Sequence, residues 1–202
     1  MAFKFGSEPS PYGTVAFKKR ERRKINVSLF YEVLTWAAGI LASAVLGVTL
    51  VYFFGLKVSM IGTSMEPLIK HGEELLLNRL SYQFASPQRG DVIAFYPNGN
   101  TKSHIYIKRV IGLPGERIKI EDGHVFINDS RYFLDNVELT GEAGIAANEM
   151  ELSNDEYFVL GDNRENTDDS RSANIGNVTS DMIKGRVWFK LGTTVTEMGL
   201  VK

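Results

Sequence analysis

Between Val33 and Leu56 the chain carries 24 consecutive uncharged residues, VLTWAAGILASAVLGVTLVYFFGL. As a helix such a run reaches about 36 Å, enough to cross a hydrocarbon core of roughly 30 Å with some tilt. Tyr31 and Trp36 stand near one end, and Tyr52, Phe53 and Phe54 near the other, as an aromatic belt requires. Residues 1–28 hold seven basic against two acidic residues, a net +5 that leaves −6 on the rest of a chain totalling −1. Basic residues directly before an apolar span mark its cytoplasmic side. The expected layout is a cytoplasmic basic tail (1–28), a transmembrane helix (29–56) and an extracytoplasmic domain (57–202). The basic arm is then a topology signal, so lipid is expected as a partner and nucleic acid is not. Ala42-Ser43-Ala44 has the small-x-small form of a leader cleavage site. Apolar residues continue more than two turns beyond it, so the span reads as a retained anchor.

Past the span the pattern changes to short β-type segments broken by turn signals. Glu73–Asn78, Asp91–Tyr96, Ile105–Leu113, Arg117–Glu121, His124–Asn128, Tyr157–Leu160 and Gly185–Leu191 read as strands. Asp122-Gly123 is a strong hairpin signal between two of them. Residues 135–154 are acidic and small and read as a loop excursion. The expected fold is mostly β, a partly closed sheet or barrel behind one N-terminal helix. The chain has no cysteine, so disulfides and thiolate chemistry are excluded, and its three histidines lack metal-ligand spacing. No metal or other cofactor is expected. The sequence assigns no oligomeric state.

Directly after the span lies Ile61-Gly62-Thr63-Ser64-Met65-Glu66-Pro67, which sets a hydroxyl between small residues and a helix-breaking proline. A serine nucleophile needs a base. Histidine is the common one, but His71, His104 and His124 stand in no segment resembling a triad element. A lysine kept neutral by burial is the rarer solution, and Lys108 is the candidate. Strand alternation puts Tyr106, Lys108 and Val110 on one face and turns Arg109 the other way, toward solvent or a carboxylate. On composition alone a solvated strand lysine is the favoured reading. A third segment, Gly161-Asp162-Asn163-Arg164 through Asp169-Ser170-Arg171, mixes acids, arginines and hydroxyls. It fails the spacing of a calcium-binding EF-hand loop and reads as a hydrogen-bonded structural knot.

Taken together in this order, Ser64-Met65-x-Pro67, Lys108-Arg109-Val110-Ile111-Gly112-Leu113-Pro114-Gly115 and the Gly161–Arg171 segment resemble the bacterial type I signal peptidases. The resemblance runs from the anchor to the C-terminus. It implies a membrane serine endopeptidase that removes signal peptides from exported preproteins after small-x-small sites. It further implies Ser64 as nucleophile, Lys108 as general base, and the Ser64 backbone N–H as oxyanion donor. Thr167 stands where the family has a serine that orients the lysine, and Asp169 with Arg171 would form a supporting ion pair. Ile61, Met65, Ala94, Tyr106 and Ile107 would line the substrate pockets. Two positions depart from the family. Gly62 replaces a serine that adds an oxyanion donor in some members, and Leu68 replaces a threonine. A non-catalytic relative serving as a membrane assembly chaperone is the alternative, and the retained Ser64, Lys108, Thr167 and Asp169 argue against it.

Overall fold

The computed structural model describes residues 27–133, 139–166, 168–192 and 197–201. By internal contacts the chain divides into two units, residues 1–43 and 44–202. In the first, every described residue is helical, and all belong to helix α1, Val27–Phe54. None of the α1 residues is buried, and the helix is long and apolar enough to cross a membrane. It ends at Gly55, and Leu56, the last residue of the uncharged run, already belongs to a strand.

The second unit is mostly β. Its larger sheet contains β1 (Leu56–Ser59), β2 (Glu74–Asn78), β3 (Val92–Phe95), β4 (Tyr106–Gly112), β9 (Glu156–Leu160), β10 (Val178–Thr179), β11 (Ile183–Lys190) and β12 (Gly199–Leu200). The order is β1-β2-β11-β3-β4-β9-β10, with β12 also paired to β11, and every pairing is antiparallel. Register shifts interrupt β11 twice and the β4–β9 ladder once. Such bulges bend a sheet and increase its twist, and this sheet curls into a half-barrel. A smaller sheet is built from β5 (Arg117–Glu121), β6 (His124–Ile127), β7 (Ser130–Arg131) and β8 (Met150–Glu151), in the order β7-β6-β5-β8. Asp122 and Gly123, both at positive φ, make the turn between β5 and β6. A single helical turn, α2 (Ser81–Phe84), follows β2.

Strands β3 and β4 are covered on both faces. Val92 and Ala94 of β3 join Met60, Met65, Leu75, Ile107 and Val187 in one core cluster, while Ile93 and Phe95 join Val110, Val159 and Val178 in another. Two-sided burial explains why β3 reads as a continuous apolar run, Val92–Phe95, without alternation to polar residues. It also changes the outlook for Arg109, whose side chain meets no open solvent. A third cluster, around Ile111, Ile118, Val125 and Phe158, fills the space under the smaller sheet.

The 135–154 excursion is more structured than its composition suggests. Residues 134–138 lie outside the described residues, but beyond them Gly144–Ala147 forms a 3-10 turn and β8 adds a strand to β5. Ala146 and Leu152 are buried in the third cluster, which ties the excursion to the core.

Candidate active site

Ser64 sits in a tight turn whose ends are clamped together. Met60 N–H donates to the Glu73 carbonyl at 2.9 Å, and Gly72 N–H donates to the Met60 carbonyl at 2.8 Å. Within the turn, Glu66 N–H bonds the Thr63 carbonyl and Ile69 N–H bonds the Met65 carbonyl. Gly62 takes φ +88°, a conformation that disfavours any side chain, which accounts for glycine here. Its N–H donates to Nδ1 of His71 at 2.9 Å. Among the described residues no acceptor takes up the Ser64 N–H, which leaves that donor available.

The β3–β4 register pairs Ile93 with Lys108 and Val92 with Arg109. On one side of β4, Lys108 reaches the Ser64 turn, and its Nζ hydrogen-bonds Ser64 Oγ. Lys108 is only 2% exposed and Ser64 5%. Burial pushes the Lys108 ammonium down from 10.5 to about 8; Asp169 and Asp168 oppose that shift and Arg171 assists it. On the other side, Arg109 makes a two-pronged ion pair with Asp162, both contacts at 2.7 Å, and donates to the Gly90 carbonyl. Two adjacent cations on one strand therefore have opposite fates. The arginine is paired with a carboxylate, whereas the lysine lies against a hydroxyl in a dehydrated site.

The Gly161–Arg171 segment is a knot of buried charge. Asp169 and Arg171 are fully buried and joined through two side-chain contacts of 2.8 and 2.9 Å. The Asp169 carboxylate also accepts the Gly161 and Arg171 N–H groups. The Arg171 guanidinium donates to the carbonyls of Arg164, Glu142 and Asn166. An ion pair taken out of water survives only when its remaining donors and acceptors are satisfied in this way. Arg164 is buried beside it, its guanidinium pushed down by burial, and donates to the Gly161 carbonyl and Thr140 Oγ1. The knot grips the nucleophile turn directly: Asn163 N–H donates to the Ser64 carbonyl, and its side-chain amide donates to the Thr63 carbonyl. Thr167, expected to orient the lysine, lies outside the described residues.

A cavity of about 180 Å³ opens over the two residues. Ile61, Tyr106 and Ile107 line it, together with Met60, His104, Asn166 and Asp168. Met65 and Ala94, also expected on its wall, do not line it. Both are fully buried in the core cluster that contains Met60 and Ile107, because the residue after Ser64 turns inward and Ala94 faces the same interior as Val92. The sequence considers His71 only as a base, and it sets Asp162, Asn163 and Asp168 inside the third segment without a role for each. Asn163 and Asp162 stand inside the third segment and were open to discovery there. Nothing in the spacing of His71 marks it.

The match to a family model described as signal peptidase, peptidase S26, covers residues 33–191. Signal peptidase I P of Bacillus subtilis subsp. natto is 33% identical over 166 residues, 76% of this chain and 86% of its own. Signal peptidase I T of Bacillus subtilis strain 168 is 31% identical, over 83% of this chain and 87% of its own. A solved signal peptidase I from Enterococcus faecalis is 31% identical, covering 51% of this chain and 97% of its own, with a TM-score of 0.41. A buried Ser64–Lys108 contact on a curled β sheet thus coincides with a family match over most of the chain. The chain belongs to the signal peptidase, peptidase S26, family, and it is an enzyme of the signal peptidase I type.

Proposed function

We propose that Ser64 and Lys108 form a catalytic dyad that removes N-terminal signal peptides from exported preproteins by cleavage after small-x-small sites. The observation that carries this reading is the contact of a buried, weakly basic Lys108 Nζ with Ser64 Oγ. With its value at about 8, about a quarter of Lys108 is neutral at pH 7.5; at an ordinary lysine value the neutral share is about 0.1%. The neutral amine takes the Ser64 hydroxyl proton as Oγ bonds to the scissile carbonyl carbon. The resulting oxyanion is met by the Ser64 N–H, a preorganised donor in a site partly closed to water. Lys108 then returns its proton to the departing amine of the mature protein, leaving the signal peptide esterified to Ser64. A water gives its proton to Lys108, attacks the ester, and the protonated lysine restores the Ser64 hydroxyl.

By family resemblance Thr167 orients Lys108, and Asp169 with Arg171 supports the site from below. The apolar wall of Ile61, Tyr106 and Ile107 favours small apolar substrate side chains near the cut. Residues 1–28 lie in the cytoplasm, the helix crosses the membrane, and residues 57–202 work on its outer side.

Ser64→Ala and Lys108→Ala should each abolish cleavage of a preprotein bearing an Ala-x-Ala site while the protein stays folded and membrane-bound. Lys108→Arg should be equally inactive, because a guanidinium does not lose its proton near neutral pH. Undiminished cleavage by any of the three would sink the dyad. Protease added to spheroplasts should digest the β unit and spare the basic arm, and the reverse pattern would overturn the orientation.

A further inference from the structure

The third segment is rich in acids, but its charges have unequal partners. Asp162 is taken by Arg109 and Asp169 by Arg171. Asp168 is different. Its N–H donates to Asn166 Oδ1, yet among the described residues no hydrogen bond or ion pair takes up its exposed carboxylate. That side chain lines the same cavity as Ser64 and Lys108. The other residues on the cavity wall that can carry charge are Lys108, His104 and Tyr106. When Lys108 gives up its proton to work as a base, Asp168 becomes the standing negative charge facing the reacting bond.

We propose that Asp168 is a specificity-determining residue, favouring substrates with a basic side chain beside the scissile bond and disfavouring those with an acidic one. This inference rests on the reading of Ser64 and Lys108 as the cleaving pair. An extended peptide advances about 3.3 Å per residue, and charges in physiological salt act over about 8 Å. Asp168 therefore acts on substrate residues within about two positions of the cut. The apolar residues of the cavity, Met60, Ile61, Ile105 and Ile107, offer nothing with which to tell a cation from an anion, so the discrimination falls to this carboxylate. Asp168 also acts on the base itself. Together with the larger effect of Asp169 it holds the Lys108 ammonium up against burial, so a single residue couples substrate charge to the protonation state of the base.

The test uses the full-length protein in detergent and a peptide set with one Ala-x-Ala site. Lys or Glu is placed singly at each position within three residues of the cut. The wild type should favour Lys over Glu in kcat/KM by about fivefold at one or more of these positions, the size of a solvent-accessible ion pair. That preference should shrink in 1 M salt. Asp168→Asn, which keeps the side-chain shape, should bring the ratio to about one and move the acid limb of the pH profile to lower pH. Asp168→Lys should invert the ratio. No Lys-over-Glu preference in the wild type, or an unchanged ratio in Asp168→Asn, overturns the assignment. Ser64→Ala on the same peptides separates the two readings. Cleavage that persists in that variant overturns the dyad, whereas loss of cleavage with an unaltered ratio in Asp168→Asn overturns only the role of Asp168.

Discussion

The Asn163 N–H donates to the Ser64 carbonyl at 3.1 Å, so the acidic segment that follows β9 holds the backbone of Ser64 itself. Gly161 makes this approach possible, since a methyl group there would run into the same Ser64 carbonyl. Gly161→Ala should displace Ser64 from Lys108 and lower kcat on the order of a hundredfold, the usual cost of a misplacement near 1 Å. KM should change little, because the cavity wall is untouched. Steady-state kinetics with circular dichroism as a folding control checks this, and an unchanged kcat would refute the backbone clamp.

The low basicity of Lys108 sets the direction of the pH response. Activity requires the neutral amine, so kcat/KM should climb with pH through about 8 and level off above it. Asp169, Asp168 and Arg171 are the charged groups acting on it, and their net effect leaves burial dominant. An acid limb centred near the free lysine value, measured on a preprotein with Ser64→Ala as blank, would contradict a buried base.

The same shift has a consequence for stability. The folded value, about 8, lies below the unfolded one, so between about 8 and 10.5 the unfolded chain binds more protons and stability from this group rises with pH. Below that window the folded protein carries a buried ammonium at a cost of ~3 kcal/mol. Lys108→Met should therefore be inactive yet more stable than the wild type at pH 7, with the difference closing toward pH 10.5. Thermal unfolding in detergent at the two pH values measures it, and an equal difference at both would exclude the linkage.

His71 holds the other end of the nucleophile turn through Gly62. His71→Ala should leave the exposed Gly62 N–H to water with little loss of stability, but should loosen the turn and lower kcat by about tenfold. His71→Asn keeps an acceptor oxygen near the position of Nδ1 and should recover most of the loss. Equal defects in the two variants would show that the imidazole matters for bulk and not for the hydrogen bond.

The sequence led to these groups unevenly. Strand alternation foretold that Lys108 and Arg109 would point to opposite sides of β4, because a period of two survives any packing. It did not foretell that both sides would be dry, since burial of a second face depends on elements distant in sequence, such as Val159 and Val187. His71 was weighed as a base, the role histidine usually advertises, when its observed contact is as an acceptor for a backbone donor. The 135–154 excursion read as a loose loop because it lacks apolar periodicity. Its grip on the charged knot comes from Thr140 Oγ1, the Glu142 carbonyl and the Ile145 N–H, and two of those three are backbone groups that leave no signature in composition. Met65 and Ala94 face the core cluster and not the cavity. Proximity to Ser64 and Lys108 along the chain does not say which way a side chain turns.

The arrangement of β4 has an implication for how this protein is kept correct. A slip of one residue against β3 that set Arg109 in the place of Lys108 would set Val110 in the place of Arg109 and leave the buried Asp162 without its cation. Such a molecule would be less stable, through the orphaned carboxylate, and inert in the proposed mechanism, because the guanidinium holds its proton. One alignment of β4 thus fixes both cations at once: the register that sets Lys108 against Ser64 also sets Arg109 against Asp162.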